Sequence, residues 1–180
     1  MSVESWLLAL GAYLLGSVPF GYLLGRLARG IDIQRYGSGN VGGSNVWATV
    51  GRRYGAFTSA LDIAKGVVPV VVAHALGMGQ SVQGVVGVAA VAGHNWSVYL
   101  RFSGGRGLGT GLGVLLALAP GLTTAFVGIG LVLLALLRNP PLTSGVATVF
   151  LPLLSILLGE PQAITLTCIG LAAVVLVKRV

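Results

Sequence analysis

Between Arg106 and Arg138 the chain reads RGLGTGLGVLLALAPGLTTAFVGIGLVLLALLR, an apolar run closed by an arginine at each end. Taken as one membrane crossing, it would put the two cations on opposite faces of a bilayer. Taken as two, Leu108–Ala119 and Leu122–Leu137 with Pro120 and Gly121 between them, it brings the chain back to the face it left. The rest of the sequence decides between these. Apolar stretches also run over Ser5–Leu27, Ala56–Leu76, Ser81–Leu100, Leu142–Leu158 and Ala163–Val177. A helix needs about 20 apolar residues to cross the hydrocarbon core, so the first three are long enough and Leu108–Ala119 is short. With the run split, Arg26, Arg29, Arg35, Arg52, Arg53, Arg101, Arg106, Arg138, Lys178 and Arg179 fall on one side, ten of the eleven basic residues. Glu4 and Glu160 fall on the other, and Lys65 lies inside the second span. With the run merged, Arg138, Lys178 and Arg179 are thrown across, against the bias that keeps Lys and Arg on the cytoplasmic face. The sequence therefore predicts an all-α polytopic integral membrane protein of about seven transmembrane helices, with its N-terminus outside and its C-terminus in the cytoplasm.

Composition agrees. Of 180 residues, 55% are hydrophobic and 8% charged, with a mean hydropathy of +0.93. Soluble domains are about one-quarter charged, so this chain has too little polar surface to solvate a globule. No charged or Ser/Pro-rich linker divides it, and residues 1–180 read as a single membrane domain. The net charge of +7 comes from cations dispersed among apolar runs, which offer no continuous basic face to nucleic acid. Membrane lipids and an anionic small substrate fit better. The single cysteine, Cys168, excludes a disulfide framework and any cysteine-based metal site. The first apolar stretch has no basic leader and exceeds a signal-peptide core, so it reads as a retained span.

Three polar features interrupt the apolar background. The loop Gly37-Ser38-Gly39-Asn40-Val41-Gly42-Gly43-Ser44-Asn45 is flanked by Arg35, Arg52 and Arg53. Its glycines let backbone N–H groups converge on an anion, and its Ser and Asn side chains add donors. Gly37, Gly39 and Gly42 match a dinucleotide fingerprint formally, but no strand precedes them. The second feature is Gly93-His94-Asn95-Trp96 followed by Arg101-Phe102-Ser103-Gly104-Gly105-Arg106-Gly107. A Gly-rich turn entering a helix aims free N–H groups and the positive end of the dipole outward, and Arg106 adds a permanent charge. By itself the pair Arg101 and Arg106 reads also as an interfacial anchor. His94 reads equally as a site residue or as a satisfied interhelical histidine, and His74 as the latter. The third is Asp62 with Lys65, three apart on one helical face inside the second span, where charge is costly unless paired or functional. No strong protein nucleophile, carboxylate pair or metal-ligand spacing accompanies these features. Chemistry here has to act on a pre-activated substrate by positioning and by offsetting negative charge.

Several co-linear motifs resemble the bacterial acyl-phosphate:glycerol-3-phosphate acyltransferases of the PlsY type. Gly16-Ser17-Val18-Pro19-Phe20-Gly21-Tyr22 is similar to the family's opening motif, and Gly37 to Val46 to its G-S-G-N-x-G-A-T-N-V signature, with Gly43 and Ser44 replacing Ala and Thr. Asp62-Ile63-Ala64-Lys65-Gly66 resembles D-x-x-K-G, and the stretch from Gly93 and His94 to Thr110 resembles the G-H-x-W and F-x-G-G-K-G-x-A-T pair. Arg138 with Ser144 resembles a weaker stretch before the sixth span. The resemblance implies a seven-helix membrane enzyme that moves a fatty acyl group from acyl phosphate to the 1-hydroxyl of glycerol 3-phosphate, giving lysophosphatidic acid. It also implies action without a cofactor or metal, as a monomer, in the bacterial cell membrane. Carried over by position, Lys65, Arg106 and His94 are the expected catalytic residues. Lys65 and Arg106 neutralise phosphate and His94 shapes the site, while Ser38, Asn40, Asn45, Arg138 and Ser144 bind substrate. Departures from the pattern are Ala48 for an expected Arg, which Arg52 or Arg53 would replace, Arg106 for Lys, and Pro141 for Ser. The family's C-terminal H-x-x-N-x-x-R-L segment has no counterpart before Lys178-Arg179-Val180. The alternative reading is a non-catalytic or altered-specificity paralogue that binds an anionic lipid or phosphate compound. A small transporter built around Asp62 and Lys65 is a third.

Overall fold

The computed structural model describes residues 2–178, so Arg179, one of the ten one-sided cations, lies outside the described residues. Nine helices occur among them: α1 (Val3–Ser17), α2 (Phe20–Arg29), α3 (Gly43–Thr49), α4 (Arg52–Ala75), α5 (Gln80–Asn95), α6 (Leu108–Leu118), α7 (Pro120–Leu137), α8 (Pro140–Leu157) and α9 (Gln162–Val177).

Every apolar stretch of the sequence is helical, but the ends differ from the hydropathy reading. The first span is broken. Pro19 has no N–H to continue the helix, α1 stops at Ser17, and the N–H of Val18 turns back to the Leu15 carbonyl. Joined, α1 and α2 make a span of 27 residues, Val3–Arg29, and α4, α7 and α8 are also long and apolar enough to cross a membrane. Helix α6, at 11 residues, is about 16 Å long against a hydrocarbon core of about 30 Å. By length and composition these four are long enough to cross, while α5, α6 and α9 are shorter. α5 ends at Asn95, not at Leu100, because the chain turns through a 3-10 segment at Val98–Leu100 and then places Arg101 and Phe102 in the left-handed region.

The helices meet where glycine removes a side chain. A Cβ on Gly66 of α4 would lie 2.1 Å from the Thr110 carbonyl oxygen of α6, and one on Gly113 of α6 would lie 2.1 Å from that of Ile63. Gly16 of α1 and Gly93 of α5 approach Ala90 and Tyr13 in the same way. Such contacts between backbones replace the hydrophobic driving force that is missing between helices in lipid. Val70, Val91, Val114, Leu122, Leu151, Cys168 and Leu171 fill the centre of the bundle. Helix α7 stands at the edge: only Leu122 and Thr123 of it are buried, and Leu131, Val132 and Leu136 are exposed.

One end of the bundle is polar. There α5 finishes, α6 begins, and the Lys178 ammonium at the foot of α9 lies 6.0 Å from the centre of the Trp96 ring. The amide of Asn95 donates to the Val174 carbonyl of α9 at 2.9 Å, and Gln34 donates to the Ser103 carbonyl at 2.8 Å. The first loop and the α5–α6 turn are thereby tied together.

Candidate functional site

At this polar end a cavity of about 260 Å³ opens between the first loop, α4 and the start of α6. Asn40, Gly42, Gly43, Ser44, Ser59, Asp62, Ile63, His94, Arg106, Gly107, Leu108 and Gly109 line it. Both glycine-rich islands of the sequence therefore meet at one cavity.

Asn45 holds the first loop. Its buried amide donates to the carbonyls of Asn40 (2.8 Å), Tyr36 (3.0 Å) and Ile33 (3.3 Å), and its Oδ1 accepts from the Ser38 N–H at 3.0 Å. Gly37, at φ +58°, passes so close that a Cβ would sit 2.2 Å from that Oδ1. Asn45 thus spends its hydrogen bonds inside the loop. Asn40 keeps the next turn, with Oδ1 accepting from Gly42 N–H at 2.9 Å, and lines the cavity. Ser38 is exposed and does not line it; its Oγ faces the Asn40 N–H at 3.5 Å.

The α5–α6 turn is built on the last carbonyls of α5. Gly104 N–H donates to Asn95 O at 3.1 Å and Gly105 N–H to His94 O at 2.9 Å. A Cβ at Gly104 would collide with that His94 carbonyl at 2.0 Å. This fold-back puts Arg106 at the cavity mouth and starts α6 at Leu108, whose first-turn N–H groups have no acceptor within the helix. Among the described residues lining the cavity, Arg106 is the one Lys or Arg. Arg52 and Arg53, exposed on the first turn of α4, do not line it.

Beneath the cavity lies a buried charge cluster. Asp62 Oδ1 is 3.0 Å from Lys65 Nζ and 3.6 Å from His94 Nδ1, and all three residues are buried. Asp62 and His94 line the cavity; Lys65 does not. Lys65 points instead into a crevice with Ser17, Val18, Phe20 and Ser97 that has no room for water. It donates to the Val18 carbonyl at 3.0 Å and lies 5.6 Å from the Phe20 ring centre.

Arg138 and Ser144 stand apart from the cavity. Arg138 ends α7 in the left-handed region and is exposed; the Ser144 hydroxyl donates to the Pro140 carbonyl at 2.9 Å. Ser59 was missed by the sequence reading. It lies three residues before Asp62, so the helical spacing of Asp62 and Lys65 carried one step toward the N-terminus would have found it. Among the described residues no three His, Cys, Asp or Glu side chains gather as a metal site requires. Arg106, Asn40 and the first turn of α6 bring donors and a permanent positive charge to the cavity wall, an arrangement suited to a phosphate group.

A family model described as glycerol-3-phosphate acyltransferase matches residues 6–179. The chain is 43% identical over 169 residues to a glycerol-3-phosphate acyltransferase of Trichlorobacter lovleyi, covering 94% of this chain and 87% of that one. It is 52% identical over 120 residues to glycerol-3-phosphate acyltransferase 5 of Dehalococcoides mccartyi, covering 67% of this chain. That alignment spans about half of the Dehalococcoides protein, 52% of its length. The crystal structure of PlsY (YgiH), an integral membrane glycerol 3-phosphate acyltransferase, in its glycerol 3-phosphate form superposes with a TM-score of 0.90 at 32% identity. The superposition covers 98% of this chain and 88% of that one. Motifs, cavity, sequence relatives and fold converge, and the chain belongs to the glycerol-3-phosphate acyltransferase family of integral membrane proteins.

Proposed function

We propose that this chain transfers a fatty acyl group from acyl phosphate to the 1-hydroxyl of glycerol 3-phosphate, forming lysophosphatidic acid for phospholipid biosynthesis. The hydroxyl oxygen bonds to the acyl carbon, the carbon–oxygen bond to phosphate breaks, and the hydroxyl proton leaves on the departing phosphate. The observation that carries this reading is the cavity itself, where Arg106, Asn40 and the start of α6 converge from separate parts of the chain. Acyl phosphate is already activated, so the protein has to orient the reactants and offset developing charge, and both are tasks for preorganised donors.

Arg106 offsets phosphate charge, while Asn40 and the α6 backbone orient it. His94 and Asp62 form the inner wall. Lys65, engaged at Asp62 and Val18, serves as a positioning residue behind that wall. An apolar crevice lined by Leu112, Leu115, Leu171 and Val175 starts from Gly107 and Leu108, which it shares with the polar cavity. The same reading puts the polar end on the cytoplasmic side of the bacterial cell membrane, the N-terminus outside, and a monomer as the working unit.

The test is purified protein in a lipidic medium with acyl phosphate and glycerol 3-phosphate, following lysophosphatidic acid. Product should form with acyl phosphate and not with acyl-CoA. Binding of phosphate compounds without turnover would make the chain a non-catalytic relative, and equal turnover of acyl-CoA would overturn the donor.

A further inference from the structure

The part of the cavity wall around Arg106 is rich in donors. Arg106 offers only N–H groups, the first turn of α6 offers backbone N–H, and Asn40 has committed its Oδ1 to Gly42. A phosphate only accepts, and this wall suits it. Glycerol 3-phosphate also brings two hydroxyl protons, each needing an acceptor.

Ser59 supplies one. Its hydroxyl lines the cavity and donates to the Gly55 carbonyl one turn back at 3.0 Å. With that proton committed, the remaining lone pairs of Oγ can only accept. The hydroxyl has its place because residue 43 carries no side chain: a Cβ on Gly43 would lie 2.0 Å from the Ser59 Oγ. Two further acceptors stand on the wall: the exposed Ser44 hydroxyl, and Asp62, which is buried and engaged through Oδ1 by Lys65.

We infer that Ser59 is a specificity-determining residue that accepts a hydrogen bond from the 2-hydroxyl of glycerol 3-phosphate. The inference rests on the acyltransferase reading above. The 1-hydroxyl must release its proton during transfer, and a serine whose own proton is tied to Gly55 provides no base for it. The 2-hydroxyl keeps its proton throughout and can be held from binding to release. Through Ser59 the cavity would distinguish glycerol 3-phosphate from phosphates of the same length that lack this group.

The experiment compares kcat/KM of the parent protein and of Ser59→Ala for two acceptors, glycerol 3-phosphate and 1,3-propanediol monophosphate, with one acyl phosphate donor. Where the second is not acylated, its inhibition constant takes the place of kcat/KM. Ser59→Ala should lower kcat/KM for glycerol 3-phosphate by about threefold to tenfold, the range for one neutral hydrogen bond. The value for the deoxy compound should stay as in the parent, so the preference narrows by the same factor. Thr124→Ala, on the exposed side of α7, controls for removing a hydroxyl anywhere. An unchanged preference in Ser59→Ala, with both values falling together or neither moving, would overturn the assignment and leave Ser59 a helix residue. A parent protein that acylates neither compound overturns the acyltransferase reading, and this inference with it.

Discussion

The ammonium group of Lys65 stands 3.0 Å from the carbonyl oxygen of Val18, at the break between α1 and α2. Pro19 interrupts the first span there, and the carbonyls around the break need donors inside the membrane. Lys65 reaches across from α4 to Val18, and the Ser97 hydroxyl donates to the Ser17 carbonyl at 2.5 Å. The same Lys65 pairs with Asp62 at 3.0 Å. One buried cation thus ties the broken helix to the inner wall of the cavity.

Lys65→Met should therefore weaken the fold as well as activity. Removing one partner of a buried ion pair leaves an uncompensated charge, at a cost of about 3–5 kcal/mol. Pairing it with Asp62→Asn removes that charge too. Thermal unfolding in detergent should place the double variant above Lys65→Met alone; a double variant that falls by the sum of the two singles would show that the pair is not coupled.

Arg106→Ala should lower kcat/KM by at least about tenfold, because hydrogen bonds to charged groups contribute about 1.5–3 kcal/mol and roughly 1.4 kcal/mol is a decade in rate. Arg106→Lys, which keeps the charge, should retain activity. Arg101 is exposed and does not line the cavity, so Arg101→Ala should change little. Steady-state kinetics on the three variants decide whether this turn is a phosphate site or an anchor.

Asn45→Asp should be worse than Asn45→Ala. Alanine removes the donor that now joins the carbonyls of Ile33, Tyr36 and Asn40; the first two keep the N–H groups of Tyr36 and Gly39, and the Asn40 carbonyl is left unpaired at about 1–3 kcal/mol. Aspartate adds a carboxylate facing those same oxygens. Both should raise hydrogen exchange across residues 36–42 and raise KM for glycerol 3-phosphate. Native exchange in Asn45→Asp would refute the stapling role.

Gly66→Ala should destabilise the bundle, since its methyl would lie 2.1 Å from the Thr110 carbonyl and overpacking costs about 1–3 kcal/mol. Gly128 on α7 has nothing within 4 Å of a Cβ, and Gly128→Ala should be neutral or stabilising. Melting temperatures of the two variants in the same detergent make the comparison.

Orientation is open to labelling. In a Cys168→Ala background, a cysteine at Ser2 should react with an impermeant reagent from outside the cell, and one at Arg53 only after the cytoplasm is opened. The opposite pattern would invert the topology.

Hydropathy made the membrane class and the position of each helical stretch legible without coordinates. These are properties of single segments, set by what each stretch of chain can bury. The motifs also marked both loops that line the cavity. What each side chain faces is another matter, because it depends on how far every helix is rotated and how closely it crosses its neighbours. The contacts at Gly16, Gly66, Gly93 and Gly113 settle that, and no periodicity distinguishes them from Gly111, where a Cβ would meet nothing. Only the packed bundle puts Lys65 behind the wall, uses up Asn45 within its loop, leaves Arg138 and Ser144 outside the cavity, and admits the Ser59 hydroxyl opposite Gly43.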